Sequence, residues 1–288
     1  MDYFAVVGIE ILNAIATLVL VSIGLAIVFG MMKVINLAHG EFIMIGGYAA
    51  ITAVKLGVNI WVAMLVVSPL VVGLLGAAIE WLIIRHLYGR MIDTMLATWG
   101  LSLLLVGGVT SIYGNTTIGL SSPLGALDIG AYKVSLYTAF IAAVALGVAA
   151  LMYALLKFSR FGLIARGVMQ DPGMAAALGV SPARIYCATF SIGAALAGLA
   201  GAVLAPITGV VPTIGVAYVA KSFITVIGGG SSILTGTLTA SGLFGSVNQI
   251  ASFATTPVIG EVALLLVAIV LVRLLPQGIT GRFFRGRI

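Results

Sequence analysis

The sequence predicts an all-α integral membrane protein, a polytopic bundle of about eight to ten transmembrane helices with some short or broken. Residues 1–288 are read as one transmembrane domain. Three observations carry this. First, 61% of the residues are hydrophobic and 8% charged, against roughly 45–50% and about 25% in an ordinary soluble domain. Second, mean hydropathy is +1.25. Third, the charges are spaced to leave long neutral runs, among them Glu10 to Lys33, Asp93 to Asp128, Arg184 to Lys221 and Lys221 to Glu261. This composition excludes a soluble enzyme, and it excludes a disordered chain, which would be poor in apolar residues and rich in charge.

Nine apolar segments follow in order: 5–31, 42–54, 60–84, 94–112, 135–156, 186–207, 214–227, 232–252 and 259–275. Backbone polar groups in lipid must be satisfied within the segment, so these read as helices. They are continuous rather than alternating, which argues against barrel strands. The first segment lacks a basic region before it, the first positive charge being Lys33, so it is expected to stay in the membrane rather than be cleaved as a signal peptide. Segment 42–54 is short and flanked by Gly40, Gly46 and Gly47. Segment 214–227 is also short, and Gly228, Gly229 and Gly230 follow it. Short, interrupted segments in corresponding halves point either to broken helices near a transport path or to tilted, half-buried helices. In segment 186–207, Gly193, Ala197 and Gly201 recur every four residues, as do Ala194 and Gly198, a small face suited to close helix packing. Asn248 and Gln249 in the eighth segment suit interhelical hydrogen bonds.

The net charge is +6, from 14 Lys+Arg against 8 Asp+Glu. Ten of the 14 basic residues fall in three places: Arg85 and Arg90; Lys157, Arg160, Arg166 and Arg184; and Arg273, Arg282, Arg285 and Arg287. Basic loops stay in the cytoplasm, so the N-terminus is expected outside and the C-terminus inside. The same clustering reads as topology rather than nucleic-acid binding. The single cysteine, Cys187, excludes an intrachain disulfide and reads as a small buried residue. No Gly-Lys pair occurs, so there is no P-loop. His39 and His86 form no His-Glu-x-x-His pattern, and no Gly-x-Ser-x-Gly elbow is present.

Three polar stretches stand out. Lys33 to Phe42 places Lys33, Asn36, His39 and Glu41 between apolar segments. It reads as a translocation-path or gate element, or as a turn whose charges cap helix ends, with Glu41 near a helix N-terminus. The loop of about 157–185 is the longest polar break. Within it Asp171 to Gly179 spells a short helix: Asp171 at the N-cap, Pro172 at the first position and Gly179 as the stop. This mostly apolar helix either docks into a partner's groove or lies on the membrane interface. Lys221, with Ser222 and Thr225 nearby, either faces a polar cavity or snorkels to the interface.

At these residues the chain resembles a known family. Val34-Ile35-Asn36-Leu37-Ala38-His39-Gly40-Glu41-Phe42 is similar to the signature of permease subunits of ABC importers for branched-chain amino acids and urea. Gly162 to Gly179, ending Met174-Ala175-Ala176-Ala177-Leu178-Gly179, resembles that family's ATPase-contacting loop, and Leu275-Pro276-Gln277-Gly278-Ile279 resembles its end. The resemblance implies a type II importer-like architecture. It implies a second homologous permease, two cytoplasmic ATP-binding subunits and an extracytoplasmic substrate-binding protein as partners. It places ATP on the partners, with no cofactor on this chain, in a bacterial-type plasma (inner) membrane. By motif, Asp171, Pro172, Met174, Ala175, Ala176, Leu178 and Gly179 fall in the coupling helix, and Asn36, His39 and Glu41 in the signature segment. Asp93 to Leu101 looks more like the urea and short-amide branch, whereas Tyr113 to Lys133 departs from it, so the solute stays open between branched-chain amino acids and short amides. The alternative to an importer is an ATP-independent channel or facilitator for a small neutral solute.

Overall fold

The computed structural model describes residues 2–129, 132–230 and 232–283. Arg285 and Arg287, used above to orient the C-terminal end, lie outside the described residues, and so does the side chain of Arg282.

All nine apolar segments form helices. Helix α1 (Asp2–Met32) is followed by the non-helical residues 33–38 and then by α2 (His39–Lys55). A three-residue turn, α3 (Ile60–Val62), opens the next segment, with the Asn59 carboxamide accepting from Trp61 N at 2.9 Å. A π-helical turn (Ala63–Val67) then leads into α4 (Ser68–Leu82). The wide turn has a local cause: Pro69 has no N–H and its ring would crowd the carbonyl one turn earlier. A 3₁₀ turn (Ile84–Leu87) joins α4 to α5 (Met91–Tyr113). Next comes a hairpin that the sequence reading did not anticipate, β1 (Ala126–Ile129) antiparallel to β2 (Tyr132–Ser135), with Asp128 opposite Lys133. Helices α6 (Leu136–Phe158), α7 (Arg160–Gln170), α8 (Pro172–Ala177) and α9 (Pro182–Thr208) follow. The chain closes with α10 (Ile214–Gly229), α11 (Ile233–Ala254), α12 (Pro257–Leu274) and the short α13 (Gly278–Phe283).

Six helical spans among the described residues are long and apolar enough to cross a membrane by themselves: Ala5–Met32, Ile60–Leu82, Met91–Tyr113, Leu136–Phe158, Pro182–Thr208 and Pro257–Gly281. The α10–α11 pair turns by 113° and counts as a seventh if taken as one broken span. Helix α2, with 17 residues, falls just short of that length and is mostly buried in the bundle. The chain is a multi-pass membrane protein.

Helix α9 is the axis of the bundle and packs against α1, α2 and α4. Its small face makes this possible. A Cβ on Gly193 would collide with Val28 and the Gly24 carbonyl, and one on Gly201 with the Ile43 carbonyl. In lipid there is little hydrophobic gain between apolar helices, so close van der Waals packing through small residues carries association. Ser68 Oγ lies 2.8 Å from the Gly46 carbonyl and 2.9 Å from the Gly198 carbonyl, so its one hydrogen links α4 to α2 or α9. Phe42 and Phe190 meet edge to face at 5.9 Å between α2 and α9. By contrast, α5 is at the perimeter: only 11% of its apolar window is buried, against 67% for α1 and α9.

One end of the bundle collects the cations. Lys33 and Met91 share a cavity, the Tyr88 ring meets Tyr186 edge-on two residues past Arg184, and Arg166 donates to the Leu156 carbonyl at the end of α6. The opposite end carries the hairpin, the Ile118–Val210 bridge and the Thr52–Tyr113 hydroxyl pair.

Candidate functional site

Residues 33–38 are irregular backbone inside a helical bundle, so their polar groups need partners that a helix would supply internally. Thr98 on α5 faces two of them. Its hydroxyl accepts from Leu37 N at 3.1 Å and lies 3.2 Å from the Ile35 carbonyl and 3.0 Å from the Met95 carbonyl, donating to one of them. Asn36 supplies a third: its Oδ1 accepts from Ala38 N at 3.1 Å, closing a turn that starts α2. Asn36, His39 and Glu41 are all buried.

His39 reaches across to α1. Its Nε2 donates to the Val21 carbonyl at 2.8 Å; a carbonyl only accepts, so Nε2 carries the hydrogen. The same carbonyl accepts from Ser222 Oγ of α10 at 2.8 Å. One carbonyl thus joins α1, α2 and α10. Beside it, the first turns of the two short helices meet. A Cβ on Gly40 would run into the Gly215 backbone, and one on Gly215 into that of Gly40 and Glu41. Each helix start is an electropositive end. Glu41 sits in the first turn of α2, where a carboxylate offsets that charge. It faces the Ser102 hydroxyl of α5, while its Oε2 has no partner among the described residues. Lys33 and Glu41 do not pair.

Of the two readings of the short segments, the structure has the broken-helix one: α2 and α10 both start inside the bundle, at one point. Lys221 stands apart from this centre. Its Nζ pairs with Glu261 Oε1 on α12 at 2.6 Å. Asn248 and Gln249 make no side-chain hydrogen bond among the described residues, contrary to the expectation for them; the helix contact there is made by Gly260 lying against the Asn248 carbonyl.

The loop 157–185 is more helical than expected. Ser159 caps α7, accepting from Gly162 N at 3.0 Å, and Gly162, Ala165 and Val168 face inward. In α8, Asp171 Oδ1 accepts from Met174 N at 2.9 Å, Pro172 takes the first position, and Gly179 has φ +85°. Ala175 is tucked in, whereas Ala176 is exposed and Met174 and Leu178 project at 61% and 78% exposure. Two large apolar side chains one turn apart therefore stand free at the basic end.

A further polar joint escaped the sequence reading. Glu80 is buried near the end of α4 and accepts from the Tyr88 hydroxyl, while the Tyr88 ring packs on Tyr186 of α9 with centroids 4.9 Å apart. Burial, then the Glu80 carboxylate, hold the Tyr88 phenol well above its ordinary pKa. Cys187 borders the same carboxylate. Only the position of Glu80 at the end of a neutral run hinted at it. Among the described residues no three His, Cys, Asp or Glu side chains are grouped to hold a metal ion.

The chain is 28% identical to the high-affinity branched-chain amino acid transport system permease protein LivH of Salmonella typhimurium, over 93% of this chain and 92% of that one. It is 28% identical to LivH of Escherichia coli K12 and 29% identical to BraD of Pseudomonas aeruginosa, with the same coverage. A solved structure, PsaBC from Streptococcus pneumoniae in complex with Fab, shares 15% identity and a TM-score of 0.49 over 92% of this chain and 89% of that one, a likeness too slight to bear on the fold. Residues 8–275, nearly the whole chain and every element of the site just described, match one family, and this chain therefore belongs to the branched-chain amino acid transport system / permease component family.

Proposed function

We propose that this chain is one transmembrane subunit of an ATP-driven importer in a bacterial-type plasma membrane, and that it moves branched-chain amino acids by alternating access. Its partners are a second homologous permease, two cytoplasmic ATP-binding subunits and an extracytoplasmic substrate-binding protein. The names of LivH and BraD support amino acids over short amides. The exposed tip at Met174 and Leu178 carries the coupling reading: apolar side chains on a small capped helix, at the cation-rich end, suit a groove on a cytoplasmic ATPase. The paired starts of α2 and α10 suit a moving element. Half-helices that meet through glycine can tilt without unmaking a continuous helix.

Uptake of labelled leucine and urea, with and without this chain and with and without cellular ATP, tests the reading. Loss of ATP-dependent leucine uptake on deletion supports it. Deletion-sensitive uptake that persists without ATP would instead make the chain a facilitator. The double variant Ala176→Glu, Gly179→Arg is expected to insert normally and lose co-purifying ATPase. Undiminished ATPase co-purification would remove the coupling assignment.

A further inference from the structure

The Lys221–Glu261 ion pair is displayed on the outside of the bundle: the two side chains are 29% and 53% exposed. It also lies at membrane depth. Ser222, the residue after Lys221, donates to the Val21 carbonyl, and Val21 sits near the middle of the Ala5–Met32 span. Glu261 is one turn into α12, within the apolar span Pro257–Gly281. Hydrocarbon is a poor surrounding for such a pair. The contact uses one ammonium hydrogen and one carboxylate oxygen. The other two hydrogens and Glu261 Oε2 have no partner among the described residues, and lipid tails supply none. Ionisable groups within a span face a protein interior or a water-filled space.

The surface around the pair differs from a lipid-type face. Thr213, Ala217 and Ala220 are exposed and, at three- and four-residue spacing, share one side of α10 with Lys221. Only beyond Lys221, toward the basic end, does α10 show Ile224 and Ile227. On α6, by contrast, Leu146 and Leu151 project fully. The small, polar stretch starts beside Gly215, where α10 meets the start of α2. The ion pair therefore lies along the exposed side of the half-helix that begins at this meeting point, and it fastens that half-helix to α12. We propose that this α10–α12 face borders water rather than lipid in the assembled importer, with the second permease supplying the opposite wall, and that the Lys221–Glu261 pair holds α10 to α12 along the water-lined side of the path. The proposal rests on the importer reading above and deepens it by placing the path on a named face.

The test places single cysteines in a Cys187→Ala chain within the assembled importer, in membrane vesicles of both orientations, and applies a charged methanethiosulfonate reagent. Ala217→Cys and Ala220→Cys are expected to react, and Leu146→Cys on α6 is the unreactive control. If Ala217→Cys and Ala220→Cys react only with a membrane-soluble maleimide, the face belongs to lipid; if they react with neither reagent, it belongs to a dry protein contact. Either result overturns the water-lined face. Uptake of labelled leucine tests the pair itself. Lys221→Met combined with Glu261→Met is expected to insert in normal amounts and lose most uptake, and the exchange Lys221→Glu with Glu261→Lys to recover it. Against lipid, the double methionine variant would shed two costly charges and keep full uptake. That result, or an exchange variant no better than the double methionine one, overturns the role of the pair. Failure here is separable from failure of the function. Leucine uptake that depends on the chain while Ala217→Cys stays unlabelled sinks only the face, whereas uptake that ignores the chain sinks the importer reading.

Discussion

Gly40 and Gly215 occupy the tightest point of the molecule, where two helix starts touch backbone to backbone. A methyl group at either position has nowhere to go, since the atoms it meets are main chain and cannot rotate away. Gly40→Ala is expected to cost about 1–3 kcal/mol, the usual range for overpacking. Gly107→Ala on α5, where nothing lies within 4 Å, is the control and should be near neutral. Thermal unfolding in detergent of the two variants checks this, and equal midpoints would refute the close approach. Glu80 and Tyr88 offer a second residue-level case. Tyr88→Phe keeps the ring against Tyr186 and removes the one hydroxyl that donates to a buried carboxylate. Leaving that group short of a donor should destabilise by about 1–3 kcal/mol, measured by the same unfolding assay, while Tyr186→Leu should cost less.

Among the elements, α8 shows how far short-range chemistry reaches. Six residues cannot hold a helix by propensity alone. Asp171, Pro172 and Gly179 compensate at its two ends, and Ala175 anchors its inner side. Asp171→Ala removes the cap and is expected to loosen α8 by about 1 kcal/mol. Faster proteolytic cleavage between residues 170 and 180, with the rest of the bundle intact, is the measurable outcome. An unchanged cleavage rate would mean that packing of Ala175, rather than the cap, holds the helix. The segment before α2 works the other way. It has no regular structure, and Thr98 on a different helix supplies the hydrogen bonds that keep it in the bundle.

For the whole molecule, the distribution of cations sets an expectation about sidedness. Lys33, Arg85, Arg90, Lys157, Arg166 and Arg184 gather at one end, and the β1–β2 hairpin lies at the other. If basic loops are retained by the cytoplasm, the C-terminus is expected inside. A fluorescent-protein fusion at the C-terminus should fluoresce, and a cysteine introduced at Asn115 should react with an impermeant thiol reagent from outside. A dark fusion together with a shielded Asn115 would invert the topology. The perimeter position of α5 has a bearing here too: a span with so little buried surface, displaying Leu96, Trp99, Leu103 and Leu104, has lipid or a second subunit against it.

Local pattern was enough for the helices, the short segments, the α8 caps and the small face of α9, because charge gaps, four-residue spacing and capping chemistry act over a few neighbouring residues. It was enough for the family too, since the signature and loop motifs are contiguous. The meeting of Gly40 with Gly215, the shared Val21 carbonyl, the Lys221–Glu261 pair and the Glu80–Tyr88 joint were not legible there. Each joins residues on different elements, and nothing in a linear sequence states which helices become neighbours. The same holds for Lys33: sequence determines that a lysine follows α1, and only the packing of α1, α5, α10 and α11 decides that it borders an open cavity between them.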